Sequence, residues 1–352
     1  MSGLDKLSIL LVEDSPQVRS LFVSVLTQLG VGQIIRAPEG AEAIRIIRQA
    51  QHDPVSVGVS SIDLIISDWV MDPIDGATLL RWVRRHKDSP YRFLPFIMVS
   101  AYSEWHRVQT ARELGVNEFL AKPFSVASVL EHIVAVVQDR RQYVRTKTFF
   151  GPDRRRASNP IGTDRRTVHT TNDDAIDKGI RFYSPPRFLR AKTGGDISFD
   201  ANRIANIQKE LDSWNDDFIT WTLEYIDKLK RILAATRRKE PATRRGDFNR
   251  INQIAHELRG QGGIFGYPLV SSVAKSLFEL TKDTLDRSDE CLYLVQNHIE
   301  TLQIVLRDEV RGDGGKVGLE IIKAMRLANA KFLKDREDTS LVGRDFLQSN
   351  RS

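Results

Sequence analysis

The 352-residue sequence contains a single cysteine, Cys291, and no long apolar run. One thiol forms no internal disulfide and offers no second soft ligand for a metal, so structural disulfides and zinc sites are excluded. No apolar segment approaches the roughly 18 residues that a membrane-spanning helix needs. The first residues also lack the pattern of a secretory signal. We therefore expect a cytoplasmic protein without membrane insertion.

Nucleotide-binding motifs are also missing. The sequence has no glycine-rich nucleotide lid, no P-loop lysine motif and no second histidine helix of the dimerising kinase type. We therefore do not expect the chain to be an enzyme that phosphorylates itself from ATP. No helix-turn-helix pattern with a basic recognition helix follows the first domain, so transcriptional output is not expected either.

The net charge of +6 is concentrated in one segment. Residues 140–195 carry fourteen Lys and Arg against five Asp and Glu, which leaves the rest of the chain at −3. Such a charge run is most often a solvated tether, and weak attachment to nucleic acid is the alternative. Its aromatic residues indicate that parts of it pack on a domain. We predict a basic, partly docked linker over residues 141–199.

The length and the periodicity of the sequence predict two folded domains. Residues 1–140 alternate short apolar runs with amphipathic stretches, the pattern of an α/β doubly wound fold. We predict a five-stranded parallel sheet with strands at Ser8–Val12, Gln33–Ala37, Leu64–Ser67, Phe96–Ser100 and Glu118–Ala121.

The sequence of the second half of the chain predicts helices. Apolar residues recur there at spacings of three and four. Residues 200–312 are predicted to form an all-α four-helix bundle, and residues 313–352 a further helix and a tail. The periodic segments are Ile204–Ile232, Phe248–Phe265, Leu269–Leu285, Leu292–Leu306 and Leu319–Phe332.

Carboxylates stand at the ends of two predicted strands. Glu13 and Asp14 follow the first strand, and Asp68 follows the third. The carboxyl ends of parallel strands meet at one edge of a sheet. Three carboxylates there would repel one another unless a divalent cation neutralised them, and oxygen ligands suit Mg²⁺. Ser100 and Lys122 stand after the fourth and fifth strands.

The motifs VEDS, ISDWVMDPIDG, MVSA and FLAKPF together resemble the CheY-like receiver domain of two-component systems over residues 7–140. The resemblance implies that Asp68 is a phosphoacceptor. It also implies that Mg²⁺ is held by Asp14, by Glu13 through water, and by the Val70 carbonyl. The alternative, that the aspartates only cap helices and form turns, does not account for Lys122.

The same resemblance implies roles for residues on the last two strands. Lys122 would pair with the phosphoryl oxygens, and Ser100 would donate a hydrogen bond to the phosphoryl group. Phe119 would change rotamer with that movement, although plain packing is an alternative for Ser100 and Phe119. The peptide before Pro123 would be cis. One departure is Asp72, which stands where the family usually has proline.

A histidine on the predicted second helix of the bundle forms the other candidate site. At about 100° per residue, His256 lies about 140° from the apolar Ile251 and points outward. Gly260 and Gly263 fall on the same outward surface, where glycine costs a helix about 1 kcal/mol relative to alanine. We interpret these glycines as clearance for a partner's aspartyl phosphate, with Arg259 steadying the phosphoryl group.

The stretch from His256 through Arg259 and Gly260 to Gly263 resembles the motif of the histidine phosphotransfer (HPt) domain, H-x-L-K-G followed by a further glycine. Arginine replaces lysine at position 259. The resemblance implies that His256 is a second phosphoacceptor. An ordinary surface histidine beside glycines is the alternative.

These motifs predict a phosphorelay signalling protein. Phosphoryl groups would pass between a sensor histidine kinase, Asp68, His256 and a downstream receiver-domain protein. In a second hypothesis the helical domain is not phosphorylated and serves as a dimerisation or effector-binding output of a response regulator, with a homodimer as one assembly. A third hypothesis makes the basic linker a nucleic-acid tether.

Overall fold

The computed structural model describes residues 3–52, 61–100, 105–153, 179–186, 188–195, 197, 200–282 and 287–349. For residues 52, 105–107, 215, 216 and 333–349 the description covers the backbone alone. The chain divides into two compact units, Met1–Asp212 and Ser213–Ser352.

The first unit contains a five-stranded parallel sheet in the order β2-β1-β3-β4-β5. A 3₁₀ turn, Leu4–Lys6, precedes it. Strands β1 to β5 are Ser8–Val12, Gln33–Ala37, Leu64–Asp68, Phe96–Ser100 and Glu118–Ala121. Helices α1 to α5 are Pro16–Gln28, Gly40–His52, Gly76–Arg85, Trp105–Leu114 and Val126–Val137. The predicted doubly wound fold is confirmed, and β3 runs one residue further than expected.

Burial explains why the sequences of these strands are apolar runs. All residues of β1, β3 and β4 are buried, whereas the edge strands β2 and β5 are partly exposed. Parallel strands covered on both faces need apolar side chains on both faces. The strand order reverses between β1 and β3, and in such sheets the crevice at the carboxyl ends next to this reversal holds the site.

Part of the predicted linker forms a second, antiparallel sheet in the order β7-β6-β8. The strands β6, β7 and β8 are Tyr143–Arg145, Phe150–Pro152 and Arg181–Tyr183, and a short helix α6, Phe188–Thr193, follows. The sequence pattern did not predict these strands, because three residues are too few to show a period of two. The predicted domain boundaries stay predictions.

The guanidinium of Arg84 joins the small sheet to the parallel sheet. It is fully buried and donates to the carbonyl oxygens of Gly115 and Leu94 at 2.9 and 2.7 Å. It also donates to Asn117 Oδ1 at 2.8 Å, and the Asn117 amide in turn donates to the Tyr143 hydroxyl at 3.0 Å. Burial lowers the pKa of Arg84. Neutral acceptors therefore satisfy this cation inside the core.

The described residues from 201 to 349 are mostly helical, as predicted. Helices α7 to α11 are Ala201–Thr236, Arg245–Gln261, Pro268–Leu280, Asp289–Arg307 and Gly315–Ser349, with a 3₁₀ turn at Pro241–Thr243. The division between the two units falls inside α7. None of the helices in the described part of the chain is both long enough and apolar enough to cross a bilayer.

The helical unit has an apolar core that contains a polar network. Phe218 of α7 stacks on Phe265 with ring centroids 4.8 Å apart. The buried His298 of α10 contacts Ser276 Oγ through Nε2 at 2.9 Å, and Asn329 of α11 donates to the same oxygen at 3.0 Å. Burial lowers the pKa of His298. This histidine is therefore structural.

Candidate functional site

An acidic cluster lies at the carboxyl edge of the parallel sheet. Glu13 and Asp14 follow β1, and Asp68 is the last residue of β3. One carboxylate oxygen of each lies within 4.8 Å of the others. The parallel pairing of β1 with β3 brings the three side chains together, because the two strands end side by side. This is the convergence that the sequence predicted.

Lys122, the residue after β5, reaches into the same cluster. Its ammonium lies 3.1 Å from Glu13 Oε2 and 3.2 Å from Asp68 Oδ1. Its side chain is 1% exposed, so water screens neither ion pair strongly. The lysine therefore offers one fixed positive charge beside the Asp68 carboxylate. The peptide between Lys122 and Pro123 is cis, as predicted.

The cluster perturbs the protonation of its members. Burial, with the charges of Asp68 and Asp14, raises the pKa of Glu13 to about 8 despite the opposing effect of Lys122. Burial and the charge of Asp68 raise the pKa of Asp14 to about 6. Burial alone would lower the pKa of Lys122, but Asp68 and Glu13 together raise it. The site thus holds more negative charge than one lysine neutralises.

These carboxylates fit a divalent cation of the magnesium type. The donor set is made of oxygen atoms only, which is the set that Mg²⁺ prefers, and it contains no nitrogen or sulfur ligand that would favour zinc. A cation would also offset the burial and the repulsion that together raise the pKa values of Glu13 and Asp14.

The remaining predicted receiver residues surround the cluster. Ser100 ends β4 and is fully buried. Phe119 on β5 is half-buried, and its ring meets the edge of the Trp69 ring with centroids 6.4 Å apart. Val70 lies two residues after Asp68 and is half-buried. Ala101, the last residue of the MVSA motif, lies outside the described residues.

Two supporting residues were not predicted. Gly76, the first residue of α3, is packed so closely that a Cβ there would lie 2.1 Å from the Asp68 carbonyl oxygen. Arg19 of α1 donates to the Glu13 carbonyl at 2.6 Å. The sequence signal for Gly76 was its place in the DPIDG motif. Arg19 has no local signal, because only tertiary packing brings it to Glu13.

In the helical unit, His256 lies on α8 beside a residue of α9. His256 is half-buried, and its ring centroid is 5.6 Å from that of Phe278. The guanidinium carbon of Arg259 lies 4.4 Å from the same ring centroid. A Cβ added to Gly260 would meet nothing within 4 Å. Open space next to the histidine is thus present at Gly260, and His256 is less exposed than predicted.

The predicted position of Gly263 is wrong. Helix α8 ends at Gln261, so Gly263 lies in the turn that follows and not on the outward helix surface. Gly263 is buried, and its N–H donates to Ser271 Oγ at 2.8 Å. The close approach belongs to Gly262, where a Cβ would lie 2.8 Å from the Tyr267 carbonyl oxygen. Both glycines lie in the turn between α8 and α9, so Gly263 does not form the exposed helix surface that was predicted.

The fold and the acidic cluster define a receiver of two-component signalling. Residues 9–134 match the sequence profile described as the response regulator receiver domain, and the chain belongs to this family. The probable chemotaxis protein CheY of Rhizobium etli is 34% identical over 136 residues, which cover 39% of this chain and 96% of the relative. Chemotaxis protein CheY of Pseudomonas aeruginosa is 27% identical over 132 residues, covering 38% and 97%.

Solved structures align with the same part of the chain. The chemotaxis response regulator CheY4 of Vibrio cholerae aligns with a TM-score of 0.31 at 26% identity, covering 37% of this chain and 98% of that one. The family match ends at residue 134, and the helical unit lies beyond it. The chain therefore takes part in two-component signalling through a receiver domain, and the role of its helical unit has to be argued from its own residues.

Proposed function

We propose that the protein is a phosphorelay intermediate whose receiver domain is phosphorylated on Asp68. The observation that carries this proposal is the cluster itself. Three carboxylates lie within 4.8 Å, and the Lys122 ammonium lies 3.2 Å from one oxygen of Asp68. The acceptor carboxylate, the cation for the incoming charge and the acidic ligands thus occupy one buried edge of the sheet.

Asp68 attacks the phosphorus atom with a carboxylate oxygen, and the donor's bond to phosphorus breaks as the acyl phosphate forms. Lys122 pairs with the phosphoryl oxygens as their charge develops. Ser100, at the end of the neighbouring strand, donates a hydrogen bond from its hydroxyl to the phosphoryl group. Phe119 follows this movement and transmits it to the surface beside Trp69. The chain holds the reacting atoms in place and takes its phosphoryl group from a donor rather than from ATP.

Mg²⁺ is the cofactor that this donor set fits. Asp14, Asp68 and the Val70 carbonyl would hold it directly, and Glu13 through water. When bound, it neutralises the charge spread over the phosphoryl oxygens. In its absence the Lys122 ammonium is the principal positive charge that faces Asp68 in the described part of the cluster.

We further propose His256 as the second phosphoacceptor, in an HPt-like bundle. The open space at Gly260 admits a partner's aspartyl phosphate, and Arg259 supplies a positive charge one helical turn away. The side chain of Phe278 lies beside both the imidazole and the guanidinium, which limits their movement. The partners are then a sensor histidine kinase upstream and another receiver-domain protein downstream.

The test labels the full-length protein with radioactive acetyl phosphate and Mg²⁺. We expect acid-stable labelling that Asp68→Asn abolishes and the neighbouring Asp72→Asn leaves intact. Undiminished labelling of Asp68→Asn would refute the receiver assignment. A phosphorylated partner receiver should label His256 in an acid-labile form. His256→Gln should remove this label and His86→Gln should not, and a label that persists in His256→Gln would refute the second acceptor.

A second candidate function has an observation of its own. Helix α11 exposes Val317, Leu319 and Leu327, each more than 60% accessible. Exposed apolar side chains of this size indicate a surface that another protein covers. The helical unit would then be a dimerisation or effector-binding output. Phosphorylation-dependent dimerisation that is unchanged in His256→Gln, measured by sedimentation, would favour this candidate.

A further inference from the structure

A cavity of about 510 Å³ opens in the first unit, at the end of the parallel sheet opposite Asp68. Asp63, Pro95 and Asn117 line it, and they directly precede strands β3, β4 and β5. A five-residue strand is about 16 Å long, so the cavity lies roughly that distance from the acidic cluster. It is a separate site.

Aromatic side chains form much of the wall. Tyr91 and Phe93 lie in the loop before β4, with ring centroids 5.9 Å apart. Tyr143 of β6 packs edge-on against Phe93 at 5.0 Å. Phe188, the first residue of α6, lies 6.5 Å from Tyr91 and is 62% exposed. A large exposed aromatic ring at the mouth of an aromatic cavity indicates that a planar, apolar group binds there.

The charges around the cavity have a positive excess. Two of its cations are paired, Lys192 with Asp63 at 2.6 Å and Arg141 with Asp139 at 2.7 Å. Arg140 and Arg190 also line the cavity, and neither forms an ion pair with any residue in the described part of the chain. Two guanidinium groups are therefore available to an anion at a site whose own carboxylates are already neutralised.

We propose that this cavity binds a small aromatic anion, a planar ring system that carries a carboxylate, sulfonate or phosphate group. The volume lies within the range of about 300 to 1,000 Å³ that ligand pockets occupy. The ring lies among Phe188, Tyr91 and Phe93, and the anionic group meets Arg190 and Arg140. The proposal does not depend on phosphorylation of Asp68 or His256.

The experiment uses the full-length protein and two fluorescent probes with the same ring system. One probe is 1-anilinonaphthalene-8-sulfonate, an aromatic anion, and the other is N-phenyl-1-naphthylamine, its uncharged counterpart. We expect the anion to bind saturably at one site and the neutral probe to bind about fivefold more weakly or worse, the factor that an ion pair of about 1 kcal/mol corresponds to. Equal binding of the two probes, or no saturable binding, would overturn the proposal.

Variants assign the binding to the cavity. Phe188→Ala should weaken binding of the anionic probe about fivefold, a factor that matches an aromatic contact of about 1 kcal/mol. Tyr293→Ala is the matched control, because Tyr293 in the helical unit is also 62% exposed. Arg190→Gln should weaken binding of the anionic probe and leave the neutral probe unaffected, with the exposed Arg81→Gln as control. Unchanged affinity in both Phe188→Ala and Arg190→Gln would place the probe elsewhere and refute the proposal.

Discussion

Mg²⁺ binding to the receiver should release protons and should strengthen steeply as the pH rises from 6 to 8. The reason is the protonation of the acidic cluster in the absence of the cation. The pKa of Glu13 is raised to about 8, first by burial, and that of Asp14 to about 6. Mg²⁺ held directly by Asp14 and through water by Glu13 would favour the ionised form of both carboxylates, so its binding opposes these protons.

The size of the effect follows from the two pKa values. At pH 7 Glu13 is about 90% protonated and Asp14 about 10%, so binding of one ion should release about one proton. Between pH 6 and pH 8 the ionised fraction of Glu13 rises from about 1% to about 50%, and that of Asp14 about doubles. Together these changes should tighten Mg²⁺ binding by about two orders of magnitude.

The raised pKa of Glu13 also makes the stability of the folded receiver depend on pH. The folded-state pKa of Glu13 lies above its ordinary value of 4.5. The stability that the protonated group contributes is therefore complete below pH 4.5 and is lost as the pH rises through about 8. The metal-free receiver should become less stable over this window, and added Mg²⁺ should restore more stability at pH 8 than at pH 6.

Isothermal titration calorimetry measures both quantities. Titrations at pH 6, 7 and 8 give the affinities, and titrations at pH 7 in two buffers with different ionisation enthalpies give the number of protons released. Glu13→Gln is the control, because it removes the titrating group while keeping a similar shape, and it should flatten the pH dependence and abolish most of the proton release. Equal affinity at pH 6 and pH 8, or no proton release at pH 7, would refute the electrostatic account of the cluster.

Three further predictions concern stability and access. Arg84→Met should destabilise the receiver by at least about 3 kcal/mol in urea unfolding, because it leaves several buried acceptors unsatisfied at about 1 kcal/mol or more each. Gly260→Leu should keep the helical unit folded and block phosphoryl transfer to His256, whereas Gly263→Leu should destabilise that unit by about 1–3 kcal/mol through overpacking. Because burial lowers the pKa of His298 below 6.5, the helical unit should lose stability as the pH falls below 6.5.

Each of these predictions has a matched control. Arg81→Met, on the exposed face of the same helix as Arg84, should leave stability nearly unchanged, and equal effects of the two substitutions would show that burial is irrelevant. Transfer that survives in Gly260→Leu would refute the clearance argument. Opening of the helical unit can be followed through Cys291, the single and buried thiol. If the helical unit of His298→Gln opens with the same pH dependence as that of the unaltered protein, a group other than His298 causes the loss of stability at low pH.

The strands and the acidic cluster were predictable because their signals are local. Four of the five parallel strands begin and end at the predicted residues. Buried parallel strands must be apolar throughout, and Asp68 has to stand at the end of such a run to reach the sheet edge. The same topology places Lys122 at that edge. The convergence of these residues therefore followed from their order along the chain.

The end of helix α8 was not predictable in the same way. The apolar period continues through Gly262 to Phe265, and on this period alone Gly263 was placed on a continuing helix. The structure ends the helix at Gln261, and the backbone beyond it turns back toward α9. The Ser271 hydroxyl accepts from the Gly263 N–H there. A helix ends where tertiary contacts satisfy its last groups better than a further turn would, and those contacts are distant in sequence.

By itself the sequence determined the parallel sheet, the helical character of the second unit and the residues of the acidic cluster, because periodicity and chain order specify each of them. Only the tertiary structure decided that Arg84 is buried and that the segment after the receiver folds onto it around Tyr143. Arg84 lies in an amphipathic helix, where an arginine reads as exposed. Its burial depends on carbonyl oxygens contributed by separate loops. No local sequence pattern predicts that these loops come together around Arg84.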